Sequence, residues 1–137
     1  MSAPLDDIAS YSAWVYALAE RHPKLTGSTL ALAPIGATLA KLEGRIECEG
    51  GFPVAVWELV DFAARRIRTY SYEVHRHGEK IGWYDPWPHP EIAELAAAFP
   101  HHKHLPPDLR HHRVPAPGIS FEMPNLDVVI EDVLRDY

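Results

Sequence analysis

A short string in the second half of the chain, Phe99-Pro100-His101-His102-Lys103-His104, combines side chains that phosphodiester chemistry uses. Cleavage of RNA without a metal ion needs a base for the 2′-hydroxyl proton, an acid for the leaving 5′-oxygen and a cation near the phosphate. Imidazole titrates near neutral pH and can fill either proton-transfer role. The string therefore predicts acid–base groups at His101, His102 and His104 and a phosphate-binding side chain at Lys103.

The expected backbone of this string decides which of its side chains meet. In an extended segment alternate side chains share a face, so we expect His102 and His104 on one side and His101 and Lys103 on the other. Because the string lies in a proline-rich segment, we also expect its histidines to be exposed. Replacing one of them with alanine should then cost little stability, within about 0.5 kcal/mol.

Residues that precede the string provide further candidates for the same site. Asp85 and His89 are second-rank catalytic candidates, together with Glu58. Glu58 lies in an apolar stretch and needs a partner if it faces inward, so a structural hydrogen bond and a site role both stay open. We predict that it is hydrogen-bonded near Tyr70 or Tyr72, on the sheet side of the histidine string. Four aromatic side chains could stack on unpaired bases and form the predicted substrate-binding set: Tyr70, Tyr72, Trp83 and Tyr84.

Two other interpretations of the histidines remain open. Neutral imidazole is a common zinc ligand, and Asp85 or Glu91 could complete a ligand set, which would indicate a metal-dependent nuclease or hydrolase. The spacing is not the His-Glu-x-x-His pattern of a helical zinc site, so we predict no metal and no cofactor. Alternatively, the His/Pro-rich segment is a partner-docking surface of a non-enzymatic binding protein. His111-His112, with its arginine neighbours Arg110 and Arg113, is interpreted as an exposed basic spot.

Hydrophobic periodicity indicates the elements that must position these side chains. Helical spacing predicts a helix over 4–22 and a final helix over 126–134, and only 91–98 could be helical between them. Strands are predicted over 30–33, 40–49, 54–60, 66–75 and 81–84, with turns short enough for an antiparallel meander. We therefore predict an α+β fold with a mainly antiparallel sheet of about five strands, on one face of which the C-terminal helix packs. The core side of the second strand is predicted to consist of Ala40, Leu42, Ile46 and Cys48.

Composition limits the classes of protein. With 137 residues, 47% of them hydrophobic, the chain suits one domain over residues 1–137. The net charge of −6 disfavours a general DNA binder, and the single cysteine excludes an intramolecular disulfide. The sequence contains no run of about 18 apolar residues, so we predict no membrane span. Residues 1–7 lack the basic and apolar regions of a signal peptide, so we expect a cytoplasmic protein.

Several motifs occur in an order that resembles the TumE-like toxin family. They are Trp57-Glu58-Leu59-Val60, Tyr70-Ser71-Tyr72-Glu73, Trp83-Tyr84-Asp85, His89-Pro90-Glu91 and the histidine string, and the similarity covers roughly residues 5–135. The histidine string is its most specific part. The resemblance implies the toxin component of a toxin–antitoxin module, with a cognate antitoxin protein as partner. By analogy with other toxins, RNA is the expected target, and the expected activity is that of an endoribonuclease. Homo-oligomer formation stays open.

Overall fold

The structure, a computed structural model, describes residues 3–137; Met1 and Ser2, the first residues of the predicted domain 1–137 and of the acidic segment 1–7, lie outside it. It has the predicted α+β class, with short helices first, a large antiparallel sheet and a C-terminal helix. The helical elements are a 3-10 turn Pro4–Asp6, α1 Ile8–Tyr16, α2 Leu18–Arg21, a 3-10 helix Ala93–Ala98 and α3 Leu126–Asp136. The strands are β1 Leu25–Ser28, β2 Ala31–Ile35, β3 Leu39–Cys48, β4 Phe52–Asp61, β5 Arg66–Arg76, β6 Glu79–Asp85, β7 His102–His104 and β8 Arg113–Pro115.

The sheet has eight strands rather than about five. Its order is β1-β3-β4-β5-β6-β7-β8, with β2 also paired to β3, and every pairing is antiparallel. The sequence pattern found β2 to β6 because these strands carry apolar side chains. It missed β1, β7 and β8, which are short and mostly polar, so they show no apolar alternation.

The core lies on one face of the sheet, under α1 and α3. Asp7 caps the start of α1 by accepting a hydrogen bond from the Ser10 backbone N–H. Where one long helix was predicted over 4–22, Ala17 separates α1 from α2. The predicted core residues of β3 are all buried, which confirms the register: Ala40, Leu42, Ile46 and Cys48. The apolar side of α3 completes this core, as predicted, with Leu126, Val129, Ile130 and Val133. No helix within residues 3–137 combines the length and apolar character that crossing a bilayer requires.

The pairing of β6 with β7 determines how the chemical side chains are arranged. Tyr84 lies opposite Lys103, and both side chains contact Asp132 of α3. Their strand neighbours therefore face the other side of the sheet. On that side Asp85 lies opposite His102, and Trp83 lies opposite His104.

Candidate functional site

Three buried side chains from β6 and β7 form a polar cluster on the sheet face opposite α3. Asp85, His102 and His104 have exposed fractions of 7%, 1% and 3%. The Nε2 atoms of the two histidines are 3.2 Å apart. The Asp85 carboxylate lies 2.9 Å from His104 Nε2 through Oδ2 and 3.3 Å from His102 Nε2 through Oδ1. All these donor atoms lie within 4.8 Å of one another, a spacing that one metal ion can bridge.

Backbone carbonyls orient both imidazole rings of this cluster. His102 Nδ1 lies 3.1 Å from the carbonyl oxygen of Pro100, and His104 Nδ1 contacts the carbonyl oxygen of Leu109. A carbonyl oxygen can only accept, so each Nδ1 must carry a hydrogen. In the neutral ring this leaves the lone pair on Nε2, directed into the cluster.

Burial and the neighbouring groups tune the ionisation of the cluster. Burial lowers the pKa of His102, and this effect outweighs the nearby charge of Asp85, which raises it. Burial raises the pKa of Asp85, but hydrogen bonds with His104 and from the Trp87 backbone N–H outweigh it and leave this pKa below its usual range. The cluster therefore favours a neutral His102 beside an ionised carboxylate.

Aromatic rings enclose the two histidines. The Trp83 ring stacks on His104 with centroids 4.3 Å apart, and the His89 ring meets the His102 ring edge-on at 5.1 Å. The structure thus brings together five of the predicted site residues: Asp85, His89, Trp83, His102 and His104.

An open groove of about 500 Å³ runs beside Asp85. Its walls include Trp83, Trp87 and Phe121, and Trp87 is 70% exposed. Arg68 contributes a cation to the same groove. A groove with accessible aromatic and cationic side chains suits an unstacked base and its phosphate.

His101 lies on the other side of β7 from His102 and His104, as predicted. Its Nδ1 is 2.7 Å from the Tyr70 hydroxyl, and its ring packs 4.6 Å from Phe121. Burial lowers the pKa of His101, more than the charge of Glu122 raises it. Because Tyr70 and Phe121 also line the groove, His101 supports the groove wall rather than joining the cluster.

Lys103 is separated from the histidine cluster. Its Nζ donates hydrogen bonds to Asp132 at 2.9 Å and to Asp136 at 3.1 Å, both on α3. Burial lowers the pKa of Lys103, but these two carboxylates outweigh it and leave the pKa raised. The structure therefore places this cation in the contact between β7 and α3, away from the Asp85 carboxylate.

Glu58 is fully buried under α1 and is hydrogen-bonded as predicted. Tyr11 and Tyr72 each donate a hydrogen bond of 2.5 Å to its carboxylate, and Asn125 donates one of 3.2 Å to the Tyr72 hydroxyl. Burial raises the pKa of Glu58 to about 6, although both phenols act to lower it. Glu58 faces the side of His101, but the expectation that it shares a side with all of the string is wrong, because His102 and His104 face the other way.

Burial corrects two further sequence-based interpretations. Tyr72 and Tyr84 are 0% and 2% exposed, so the prediction that they stack on bases is wrong, and Tyr70 is equally buried although it lines the groove. The histidines of β7 are likewise not exposed. Their replacement by alanine removes buried hydrogen-bonded groups, which costs about 1–3 kcal/mol rather than a few tenths.

Two residues beside the cluster were missed as site candidates. Arg113, interpreted as part of an exposed basic spot, lies directly opposite His104 on β8, and its buried Nε has no hydrogen-bond partner within residues 3–137. Trp87 presents the exposed ring of the groove. The signal for Trp87 was its place between Pro86 and Pro88, just after Asp85, whereas the position of Arg113 depends on a strand that shows no apolar pattern.

In a comparison with protein families, the chain matches the family described as toxin TumE over residues 17–137. This range contains the whole cluster, the groove and Arg113. No curated protein and no solved structure matches the chain.

Proposed function

The chain belongs to the TumE toxin family, and we propose that it is the toxin of a toxin–antitoxin module that cleaves RNA with Asp85, His102 and His104 as its catalytic centre. Membership in a toxin family implies an antitoxin partner in general. The RNA target and the cleavage reaction go beyond the family match and are predictions, and homo-oligomer formation stays open.

The observation that carries the proposal is the convergence of two imidazole Nε2 atoms on one carboxylate beside an open groove. An imidazole nitrogen with a free lone pair can take the proton from the 2′-hydroxyl group that attacks the phosphate. Asp85 stabilises the positive charge that a histidine acquires when it takes up this proton. Two histidines at one centre can serve the attacking and the leaving oxygen in turn.

The negative charge that builds up on the phosphate during cleavage needs a nearby cation. Lys103 does not provide it, because its Nζ is bound to Asp132 and Asp136 of α3. Arg113 lies opposite His104 and has an unpaired buried Nε–H in the part of the chain that the structure describes. A guanidinium group can bind a phosphate through two parallel hydrogen bonds. We assign this role to Arg113.

The groove beside Asp85 supports a single-stranded substrate. The exposed ring of Trp87 can stack on a base that is not already paired, and such stacking contributes about 1–3 kcal/mol per base. A base inside a duplex does not offer its face to a side chain. The proposal therefore names single-stranded RNA as the substrate.

The test is controlled expression of the toxin with and without its antitoxin partner, while growth and RNA integrity are followed. His104→Ala removes one imidazole from the centre. His111→Ala is the matched control, because the His111 side chain is 69% exposed and, within residues 3–137, pairs with Asp108 on the surface. We expect growth arrest and RNA fragmentation with the wild type and with His111→Ala, and neither with His104→Ala. RNA that stays intact during growth arrest by the wild type would show that the toxin acts on another target.

A further inference from the structure

We propose that Asp85, His102 and His104 bind a divalent transition-metal ion. The two Nε2 atoms are 3.2 Å apart, and each lies against its own oxygen of the Asp85 carboxylate, His104 Nε2 at 2.9 Å from Oδ2 and His102 Nε2 at 3.3 Å from Oδ1. Ligand atoms that surround one tetrahedral ion at about 2.0–2.1 Å are separated by about 3.3 Å. The three side chains are therefore close to the spacing that one ion requires.

The hydrogen bonds of the rings point to the same conclusion. Metal-bound histidines usually donate their second ring N–H to a carbonyl or a carboxylate, which fixes the tautomer. Here both Nδ1 atoms meet backbone carbonyls, those of Pro100 and Leu109. Both Nε2 lone pairs then face each other and the oxygens of the Asp85 carboxylate, so three side chains present electron pairs that a cation stabilises.

A single proton does not satisfy this cluster as well as an ion does. A hydrogen on His104 Nε2 can be donated to Asp85, but His102 Nε2 then still faces the second carboxylate oxygen at 3.3 Å with its own lone pair. Hydrogens on both Nε2 atoms would put two donors 3.2 Å apart. One divalent ion accepts electron pairs from all three side chains at once.

The ligand types indicate the class of metal. Two imidazoles with one carboxylate suit zinc, iron, nickel or cobalt, whereas magnesium and calcium prefer sites made of oxygen atoms. Three protein ligands leave coordination positions open, as in catalytic rather than structural zinc sites. Asp85 also lines the groove, so a substrate in the groove can approach these positions.

This inference deepens the proposed function and rests on it for the catalytic role only. An ion at this site would activate a bound water or polarise a phosphoryl oxygen. Because a bound ion would occupy both Nε2 lone pairs, the ion would take over the acid–base role that the proposed function gives to the free imidazoles, so the inference favours the metal-dependent alternative over metal-independent cleavage. Metal binding itself is measured without RNA, so the two proposals can fail separately.

The experiment uses the full chain after dialysis against a chelator. Binding of Zn²⁺ is measured by titration calorimetry, and binding of Co²⁺ by its visible absorption spectrum. Asp85→Asn removes a charged ligand while the amide oxygen can still accept the Trp87 N–H, and His104→Ala removes one imidazole. His111→Ala is the control for adventitious binding to a histidine beside a carboxylate.

We expect one ion per chain and a Co²⁺ spectrum of low-coordinate geometry. Affinity should fall at least about hundredfold in Asp85→Asn and His104→Ala, and stay within about twofold in His111→Ala. Circular dichroism verifies folding, and if His104→Ala does not fold, Asp85→Asn decides. Unchanged affinity in the variants, or weak binding at several sites in the wild type, overturns the proposal. RNA cleavage that persists in excess chelator would overturn the catalytic role of the ion while leaving the proposed function intact.

Discussion

At the scale of single residues, burial decides which titratable groups belong to a site and which belong to the core. Glu58 and Asp85 are both buried carboxylates, but their partners differ. Glu58 accepts hydrogen bonds from the neutral phenols of Tyr11 and Tyr72, whereas Asp85 lies against two imidazoles and an open groove. Neutral donors compensate a buried charge only in part, so Glu58 ionises with difficulty.

This difference predicts that Glu58 contributes to the pH dependence of stability. Its pKa is about 6 in the folded chain against 4.5 for an unperturbed glutamate, so folding favours the protonated form. The contribution to the free energy of unfolding is fully present below pH 4.5 and is lost as the pH rises through 6. A shift of this size corresponds to about 2 kcal/mol.

The measurement is urea unfolding of the wild type and of Glu58→Gln at acidic and at slightly alkaline pH, with chelator present throughout. Glutamine keeps the size of the side chain and does not titrate. We expect the difference in unfolding free energy between the two proteins to change by about 2 kcal/mol across this range, in favour of the variant at high pH. Parallel pH profiles would show that Glu58 keeps an ordinary pKa.

At the scale of elements, β7 joins two neighbourhoods that differ in chemistry. Alternation along three residues turns His102 and His104 toward Asp85 and turns Lys103 toward α3. The shared face of the two histidines was predictable from their spacing alone. The pairing of Asp85 with His102 was not, because the register of β6 with β7 follows a long irregular segment between them and carries no apolar pattern. The same separation explains why no spacing in the sequence indicates the metal site that we propose, since its three side chains come from two strands and not from one motif.

The position of Lys103 predicts a structural role. Lys103→Met keeps the length of the side chain but loses the hydrogen bonds to Asp132 and Asp136. A buried hydrogen bond to a charged group contributes about 1.5–3 kcal/mol to the free energy of unfolding. Because Lys103 and its partners are partly exposed, we expect its two hydrogen bonds together to contribute about 1–2 kcal/mol. We expect a lower Tm by thermal melting and unchanged RNA cleavage per folded molecule.

A suitable control for this variant is Lys41→Met, since the half-exposed Lys41 of β3 forms, within residues 3–137, an ion pair with Glu43 at 3.7 Å. Its Tm should change little. A Lys103→Met protein that melts like the wild type but no longer cleaves RNA would return this lysine to the phosphate-binding role that the histidine string predicted.

At the scale of the whole molecule, the sheet separates stability from chemistry. One face packs on α1 and α3 and contains the Glu58 network; the other carries the Asp85 cluster. Hydrophobic periodicity predicted the first face well, since the apolar positions of β3 and α3 lie where expected. The second face depends on short polar strands and on backbone carbonyls of irregular segments, which no periodicity reveals. The family match begins at residue 17 and includes Glu58. Tyr11 of α1 lies before the matched range, although its hydroxyl donates a hydrogen bond to the Glu58 carboxylate.

The central claim is that the Asp85–His102–His104 cluster is the catalytic centre of a toxin that cleaves RNA. The most direct test is cleavage of single-stranded RNA by purified wild-type protein, Asp85→Asn and His111→Ala, each assayed in the same Zn²⁺-containing buffer and verified as folded by circular dichroism. The account predicts cleavage by the wild type and by His111→Ala, and at least about a hundredfold lower rate with Asp85→Asn. Cleavage by Asp85→Asn at the wild-type rate would contradict it.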